Sequence, residues 1–303
     1  MPTGLLFSGQ GAQKVGMGKS LYDNSSLVRE LYDKANEVLG YNFTQVCFEG
    51  PQEDLTRTNV CQPALYVHGL ACHALWKASN PEGRPGVALG LSLGELTALA
   101  ATGVYEFEVG LQIVAERGRL MQMACEQTNG GMASVLGGTR EQVGTLANEF
   151  DVDMANLNCP GQIVISGEAS KVDAAVEAGK GRAFKRLMPL TVAGAYHSRL
   201  MEPARIAFED YLKEINFRIP EIPVFSNVDA RITDDPELIK GKLVKQVVSS
   251  VLWEDCMLAA KSESGITKFA ECGMGSILKG LAKRIDRDME VEAFQEYDDF
   301  SHS

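Results

Sequence analysis

The stretch GVALGLSLGELTALAATG, residues 86–103, joins a short apolar run to a helix-like segment through the pattern Gly-x-Ser-x-Gly. Residues 87–89 are typical of a buried strand, and residues 93–102 are typical of a helix that ends at Gly103. In a strand-turn-helix of this kind the serine sits in a tight bend with its hydroxyl exposed, and the glycines leave room for close packing. The stretch therefore predicts an α/β protein in which Ser92 is a nucleophile, against the alternative of an ordinary glycine-rich turn.

Two backbone amides are candidates for binding negative charge near Ser92. The helix after this serine has free N–H groups and a favourable dipole at its start, so the amide of Leu93 is the expected first oxyanion donor. The loop SGQGAQ, residues 8–13, follows the strand-like TGLLF, and its glycines let the backbone approach a ligand closely. A nucleotide loop is the alternative, but the loop contains neither G-x-G-x-x-G nor G-x-x-x-x-G-K-[ST]. We therefore predict that Gln10 supplies the second oxyanion donor.

The order of predicted elements changes between Met132 and Leu190. The strand-like segments MASVL, VDMANLN, QIVISG and FKRLMPL are separated by the helical TREQVGTLANEF and EASKVDAAVEAGK in the order β-α-β-β-α-β. This order is typical of a ferredoxin-like unit, whereas TGLLF and GVALGL among helices are typical of a parallel α/β sheet. We expect a large α/β subdomain over residues 1–125 and 195–303, with a small ferredoxin-like subdomain inserted over residues 126–194.

The composition argues against several classes of protein. At 303 residues the chain can bury a large core, and its 45% hydrophobic and 23% charged residues are ordinary for a globular protein. Its net charge of −11 opposes binding to nucleic acid. No apolar run is long enough to span a bilayer and the N-terminus lacks a signal sequence, so we expect a soluble, cytoplasmic protein. The seven scattered cysteines predict reduced thiols, and the dispersed histidines predict no metal site.

A serine nucleophile needs a base, and the chain contains four histidines: His68, His73, His197 and His302. The first two lie in the apolar helical QPALYVHGLACHALW, where histidine is usually structural, and the last lies in an acidic tail. His197, in GAYHSRLMEP, follows the strand-like LTV and precedes an amphipathic helix, so it resembles Ser92 in its position between elements. The residues alone leave this pairing open. They also leave the third member of a triad open, with Asp229 and Asp255 as candidates.

Arg117 is the most informative charged residue, because its helical neighbours are apolar. The residues three and four positions away are Ile113, Val114, Leu120 and Met121. The guanidinium therefore emerges on the buried side of a helix, where a cation without a partner is costly. Its partner is either an internal Asp or Glu or a substrate carboxylate, which the arginine fork binds bidentately. Arg119 has Glu116 and Gln122 at helical spacing and is expected to be a solvated surface charge.

Six segments resemble, in order, the malonyl-CoA:acyl carrier protein transacylases, acyltransferases of fatty-acid and polyketide synthesis. They are GQGAQ, GLSLGE, AERGRLMQ, NCPGQIVISG, GAYH and GMGSILKGLAKR, and they extend from about Leu5 to Arg284. The resemblance implies an α/β-hydrolase-like large subdomain with a ferredoxin-like insertion. It also implies transfer of a malonyl group from malonyl-CoA to the phosphopantetheine thiol of acyl carrier protein through a malonyl-serine ester, without a cofactor.

The resemblance implies a role for each matching residue. Ser92 would attack the malonyl thioester, and His197 would be the general base. Arg117 would hold the malonyl carboxylate, and Gln62, in CQPAL, would line the site. The two amides predicted above match the oxyanion donors of the family. A backbone carbonyl orients the family's histidine, and within QVVSSVLW, residues 246–253, the carbonyl of Leu252 is our candidate.

Two residues next to the matching motifs bear on selectivity and rate. Tyr196 stands where malonyl-selective members usually have phenylalanine or another residue, and its bulk should crowd a methylmalonyl group; alternatively, it only packs the pocket wall. Leu91 stands where the family usually has histidine. We predict that the apolar Leu91 keeps the turn drier and leaves transfer intact.

The family's carrier protein is acidic, so docking would need a basic patch on this acidic chain. The available residues are Lys185, Arg186, Lys279, Lys283 and Arg284, each of which could equally be an ordinary solvated charge. We expect a monomer that serves fatty-acid synthesis, with a separate acyltransferase of polyketide synthesis as the alternative. The rival functions are a serine thioesterase or esterase and an inactive scaffold that binds acyl carriers.

Overall fold

Two four-stranded sheets organise the chain, which a computed structural model describes over residues 2–300. The strands are β1 (Thr3–Phe7), β2 (Pro85–Gly90), β3 (Gly130–Leu136), β4 (Asp153–Cys159), β5 (Gln162–Glu168), β6 (Arg186–Pro189), β7 (Lys268–Cys272) and β8 (Glu290–Phe294). The helices are α1 (Lys19–Asn24), α2 (Ser26–Leu39), α3 (Phe43–Glu49), α4 (Gln52–Thr56), α5 (Thr58–Ser79), α6 (Leu93–Ala101), α7 (Phe107–Gln127), α8 (Arg140–Glu149), α9 (Ala169–Gly179), α10 (Glu202–Leu212), α11 (Pro236–Gln246), α12 (Trp253–Ser264) and α13 (Ile277–Ile285). Within residues 2–300, no helix is long and apolar enough to cross a membrane.

The first sheet is parallel throughout, with strand order β2-β1-β7-β8. Successive residues of β1 point to opposite faces, so Leu5 and Phe7 join one buried core and Leu6 joins another. Helices α5, α6 and α7 cover the first face, and α12 and α13 cover the second. This arrangement confirms the predicted α/β class, with a parallel sheet between two helical layers.

The second sheet has the order β4-β5-β3-β6, and every neighbouring pair is antiparallel. Helices α8 and α9 pack on it around Val135, Leu146, Ile165 and Val172, which are all buried. The element order β3-α8-β4-β5-α9-β6 confirms the predicted ferredoxin-like unit. Its strands lie between Gly130 and Pro189, and the exact boundaries 126 and 194 stay a prediction.

One main-chain connection joins the two subdomains beside the small sheet. The N–H of Leu157 donates to the carbonyl of Val251 at 2.9 Å, and the N–H of Val251 donates to the carbonyl of Ala155 at 2.8 Å. A segment of the large subdomain therefore lies parallel to β4 and fixes its position. Between the subdomains lies a cavity of about 660 Å³.

The expected strand LTV before His197 is wrong. Strand β6 ends at Pro189, which has no N–H for the ladder, and the N–H of Leu190 makes one last bond to the carbonyl of Met132 at 2.9 Å. The chain then leaves the sheet edge and passes along the cavity, which Leu190 and Val192 line. His197 thus lies in a turn ahead of the 3₁₀ segment Arg199–Met201 and helix α10.

Candidate active site

Ser92 occupies a strained turn between β2 and α6. Its φ is 55° and its ψ is −104°, a conformation that non-glycine residues rarely adopt. The turn is tight, because a Cβ atom on Gly90 would lie 1.8 Å from the carbonyl carbon of Gly94, and one on Gly94 would lie 2.1 Å from the carbonyl oxygen of Phe7. The Ser92 N–H donates to Oδ1 of Asn227 at 2.7 Å. The two glycines of the pattern therefore occupy positions where the packed backbone leaves no room for a side chain.

His197 contacts the serine hydroxyl directly. Its Nε2 lies 2.7 Å from Oγ of Ser92, and its Nδ1 lies 2.9 Å from the main-chain carbonyl of Gln246. The carbonyl accepts the Nδ1 proton, which leaves Nε2 free to accept the serine proton. Burial and the nearby Arg117 cation lower the pKa of His197 to about 4, so the ring is neutral at physiological pH.

The predicted orienting carbonyl of Leu252 is wrong, although a main-chain carbonyl does perform this role. Leu252 precedes α12, and its carbonyl accepts the N–H of Cys256 at 2.9 Å in the first turn of that helix. The orienting carbonyl belongs to Gln246, six positions earlier, at the end of α11. The Leu252 carbonyl is used within α12, whereas the carbonyl of Gln246, the last residue of α11, accepts the N–H of Ser249 at 3.3 Å and also bonds Nδ1 of His197.

The other candidate bases and acids that the structure describes lie away from the Ser92 hydroxyl. His68 is buried between the Tyr32 hydroxyl and the Cys72 thiol, and His73 stacks on Trp76. The two candidate third members are tied elsewhere: Asp229 pairs with Lys242 at 3.0 Å, and Asp255 pairs with Arg140 at 2.9 Å. His302 lies outside the described residues.

Arg117 lies beside the nucleophile, 1% exposed. Its Nη1 donates to Oε1 of Gln62 at 2.7 Å, and its Nη2 donates to Oε1 of Gln246 at 2.8 Å and lies 3.3 Å from Oγ of Ser92. Within residues 2–300 no carboxylate pairs with it, and its buried Nε has no partner. Burial lowers the pKa of Arg117 to about 10, which leaves it charged at neutral pH. Arg119 pairs with Glu116 at the surface, as predicted.

A buried polar network behind Ser92 escaped the sequence analysis. The side chain of Gln246 donates to the Ser92 carbonyl at 3.0 Å and to Oε2 of Glu95 at 2.6 Å. The same carboxylate oxygen accepts the N–H of Asn227 at 3.0 Å, and the side chain of Asn227 donates to the carbonyl of Gly90 at 2.8 Å. Glu95 carried a signal, since it closes the motif GLSLGE one turn after the serine. Asn227 carried none, and Gln246 was included only as the first residue of QVVSSVLW, because ordinary polar side chains acquire this role through distant contacts.

The two predicted oxyanion amides both belong to residues that line the cavity. Gln10 follows β1 and Leu93 begins α6, so both lie at the carboxyl ends of adjacent parallel strands. Within residues 2–300 neither N–H has an acceptor. The Gln10 side chain donates to Oγ1 of Thr58 at 3.4 Å, and that hydroxyl also bonds the hydroxyl of Tyr196. Tyr196 thus lines the cavity and is linked through Thr58 to the loop of residues 8–13.

Leu91 packs against the loop of residues 8–13, next to the turn that contains Ser92. It lines the cavity, its N–H donates to the carbonyl of Phe7 at 3.1 Å, and a Cβ on Gly9 would lie 2.4 Å from its carbonyl oxygen. Gln62 instead lies behind the guanidinium, 1% exposed, and reaches the site through Arg117. The structure therefore brings together Ser92, His197 and the predicted binding residues, and corrects only the orienting carbonyl and the position of Gln62.

The described residues contain no group of three His, Cys, Asp or Glu side chains placed to hold a metal ion. All seven cysteines are buried and free. The polar groups that meet at the cavity are the Ser92 hydroxyl, the neutral imidazole of His197 and the buried guanidinium of Arg117.

The chain is similar in sequence to proteins that are named for the same activity. Residues 5–293 match the acyl transferase domain family. A polyketide biosynthesis malonyl CoA-acyl carrier protein transacylase of Bacillus subtilis is 42% identical over 94% of this chain and 98% of that protein. A malonyl CoA-acyl carrier protein transacylase of Staphylococcus aureus is 37% identical over 98% of this chain and 96% of that protein.

Solved structures agree with the fold and with the family. The crystal structure of an acyl-carrier-protein S-malonyltransferase from Burkholderia pseudomallei superposes with a TM-score of 0.95 at 34% identity, over 99% of this chain and 98% of that chain. A malonyl-transacylase solved in complex with its type II polyketide acyl-carrier protein superposes with a TM-score of 0.95 at 33% identity, over 99% and 98% of the two chains. The chain therefore belongs to the acyl transferase family, among the malonyl CoA-acyl carrier protein transacylases.

Proposed function

We propose that the protein transfers a malonyl group from malonyl-CoA to the phosphopantetheine thiol of acyl carrier protein through a malonyl ester of Ser92. One observation supports this most directly. The Ser92 hydroxyl lies 2.7 Å from a neutral imidazole and 3.3 Å from a buried guanidinium. The first group activates an alcohol, and the second suits an acyl group that ends in a carboxylate. Both relatives described above are named malonyl CoA-acyl carrier protein transacylases.

Acylation begins with proton transfer from the Ser92 hydroxyl to Nε2 of His197. The oxygen attacks the thioester carbonyl of malonyl-CoA and forms a tetrahedral oxyanion. The intermediate collapses with cleavage of the carbon–sulfur bond, and the imidazolium returns its proton to the coenzyme A thiolate. The carrier thiol then repeats the steps in reverse, giving up its proton to His197 and restoring the serine hydroxyl. The carbonyl of Gln246 holds the imidazole in the tautomer that both half-reactions need.

The oxyanion is bound by the main-chain N–H groups of Gln10 and Leu93 in this proposal. Both residues line the cavity, and neither N–H is used by another acceptor within residues 2–300. Leu93 is also the first residue of α6, where the helix dipole favours negative charge.

Arg117 holds the malonyl carboxylate. All its side-chain acceptors are neutral, and its buried Nε has no partner, so the guanidinium can exchange weak acceptors for an anionic one. We further propose that Tyr196, fixed by its bond to Thr58, narrows the cavity against a branched methylmalonyl group. In both assignments, side chains around Ser92 determine which acyl group the cavity accepts.

The carrier protein docks beside the cavity mouth on exposed basic residues of β6, its preceding loop and α13. The proposed contacts are Lys185, Arg186, Lys279, Lys283 and Arg284. Within residues 2–300 none of them pairs with a carboxylate, so their charges are available to an acidic partner. Helix α13 also supplies Ile277 and Leu281 to the cavity, which connects the docking surface to the site.

Three further assignments belong to this proposal. The free thiols support a reducing, cytoplasmic location. A monomer is sufficient for a site built within one chain, and light scattering coupled to size exclusion tests the oligomeric state.

We propose that the protein serves fatty-acid synthesis. Polyketide synthesis is the alternative, and the name of the Bacillus subtilis relative supports it. Rates with a fatty-acid carrier and a polyketide carrier, compared side by side, decide between them.

Incubation with malonyl-CoA, with and without acyl carrier protein, tests the central proposal. We expect an intact-mass adduct of malonyl size on the wild-type enzyme, no adduct on Ser92→Ala, and malonyl-carrier as the main product when the carrier is present. Free malonate as the dominant product in both tubes would instead establish the thioesterase alternative. The absence of any adduct on the wild-type enzyme would support the scaffold alternative.

A further inference from the structure

Two buried opposite charges lie on either side of the Gln246 side chain. Oε1 of Gln246 accepts Nη2 of Arg117 at 2.8 Å, and Nε2 of Gln246 donates to Oε2 of Glu95 at 2.6 Å. All three residues are at most 3% exposed. The amide dipole of Gln246 is therefore aligned between the cation and the carboxylate and couples them without a direct ion pair.

Among residues 2–300, neither charge forms a direct ion pair with a group of opposite sign. The other side-chain acceptors around the guanidinium belong to Gln62 and Ser92, and the other main-chain donor to Glu95 is the N–H of Asn227. An isolated cation in this position would carry a large desolvation cost, which a carboxylate one amide away reduces. The Glu95 charge accordingly raises the pKa of Arg117 against the larger effect of burial.

We propose that Glu95 is a positioning residue that acts through Gln246 as the counter-ion of Arg117, and that it takes up a proton from solvent when a carboxylate-bearing acyl group binds that arginine. The inference rests on the proposed function. A malonyl carboxylate at Arg117 would place a second anion near Glu95, and two neighbouring buried anions raise each other's pKa. An acetyl group brings no such charge, so Glu95 distinguishes the two substrates.

The surroundings of Glu95 make this protonation accessible near neutral pH. Burial raises the pKa of Glu95 to about 7, while hydrogen bonds from Asn227, Gln246 and the Ser226 side chain, and then the Arg117 charge, hold it down. The titratable groups that face it from other elements are Arg117 of α7, the Tyr105 hydroxyl ahead of α7, and the Cys256 thiol of α12. Burial holds the pKa of both the Tyr105 hydroxyl and the Cys256 thiol well above its ordinary value. Neither therefore changes charge in the same range.

The sign of the pH effect follows from the two states of the carboxyl group. Above its pKa Glu95 is ionised and repels the malonyl carboxylate; below it, the neutral acid does not. The half-saturating malonyl-CoA concentration for acylation of Ser92 should therefore rise about tenfold between roughly pH 6 and pH 8 relative to that for acetyl-CoA. The ratio of the two substrates is the measured quantity, because the phosphates of coenzyme A titrate equally in both.

The experiment measures Ser92 acylation by intact mass, over this pH range, in wild type and in Glu95→Gln. Glutamine has the same shape, and its oxygen accepts from Asn227 and Gln246. We expect the ratio to become independent of pH in Glu95→Gln, with tighter malonyl-CoA binding than wild type at about pH 8. Glu271→Gln is the matched control, because Glu271 is another buried carboxyl group whose pKa is raised to about 7, but it contacts the start of α13.

Several results would overturn the inference. A pH-independent ratio in wild type would do so even if Glu95→Gln failed to fold, as would a wild-type profile retained by Glu95→Gln. The same loss of pH dependence in Glu271→Gln would show a general effect of buried charge. A wild-type enzyme without any malonyl adduct on Ser92 would defeat the proposed function itself, whereas an adduct with a flat ratio would defeat this inference alone.

Discussion

Helices α6 and α13 begin in similar places but differ in how their first N–H groups are satisfied. Each follows a strand of the parallel sheet, and neither has a capping side chain at its N-cap residue. At α13, Glu271 of β7 accepts the N–H groups of Leu278 at 3.0 Å and Lys279 at 2.8 Å. At α6, the N–H of Leu93 has no acceptor within residues 2–300.

The difference separates a helix start that is satisfied within the protein from one that is open to the cavity. The Glu271 carboxylate accepts the first N–H groups of α13 from within the protein, so these groups need no ligand. The start of α6 also contains strain at Ser92 and faces the cavity. Changes at α6 should therefore affect chemistry more than stability, and changes at the start of α13 should do the opposite.

Ser92→Ala should have the largest effect on activity. We expect malonyl transfer to fall by at least about 10³-fold, because the covalent route is removed, while the melting temperature stays close to that of wild type. Transfer to carrier protein and thermal unfolding measure the two effects. Ser134→Ala, which alters another serine of the cavity wall, is the control and should retain transfer. A large loss of stability in Ser92→Ala would contradict the contrast between the two helices.

Arg117→Ala should reduce malonyl transfer by about 10²-fold and acetyl transfer much less, since only the malonyl group loses a charge-assisted contact. Steady-state rates with both thioesters give the ratio. Arg119→Ala removes a surface arginine two positions away that pairs with Glu116, and it should leave the ratio unchanged. Equal losses for both thioesters in Arg117→Ala would mean that this arginine is structural.

Glu271→Ala should instead weaken the fold. Two N–H groups at the start of α13 lose their acceptor, which costs about 1–3 kcal/mol of unfolding free energy, whereas turnover by the folded enzyme should change by less than about threefold. Urea unfolding and rates corrected for the folded fraction measure these quantities. An unchanged unfolding midpoint would show that water replaces the carboxylate at this helix start.

Leu91→His tests whether the apolar side chain at position 91 keeps water away from Ser92. An imidazole there should draw water toward Ser92 and increase malonate release, while transfer changes by less than about threefold. Product analysis with limiting carrier protein gives both numbers. Leu91→Met is the control, because it keeps the residue apolar and similar in volume. A large gain in transfer by Leu91→His would show that leucine is a defect at this position.

The smallest effect concerns the pH dependence of the acylation rate at saturating substrate. The pKa of His197 is lowered to about 4, and the base is active when neutral, so lowering the pH removes activity only near that value. At saturating substrate the acylation rate should vary by less than about twofold between roughly pH 5.5 and pH 8. Rapid-quench measurements of Ser92 acylation check this. A midpoint near the ordinary histidine pKa would show that substrate binding restores water or a negative charge beside the ring.

Local sequence predicted the elements that position the site better than it predicted the partners within it. The strand-turn-helix at Ser92 and the β-α-β-β-α-β order were readable, because apolar periodicity and glycine positions act over a few residues. The expected strand before His197 is wrong because the chain leaves the sheet edge after the bond from the Leu190 N–H to Met132, and strand pairing is not a local property.

The sequence by itself determined the reactive groups: a serine in a turn that requires glycine neighbours, and an arginine on the apolar side of a helix. Only the tertiary structure decided what surrounds them. The carbonyl that orients His197 lies 49 residues away in the chain, and the side chain that reaches the Ser92 carbonyl lies 154 residues away. Hydrogen bonds of this kind depend on which polar atoms the fold buries together. A residue such as Gln246 therefore shows its role only after the chain has folded.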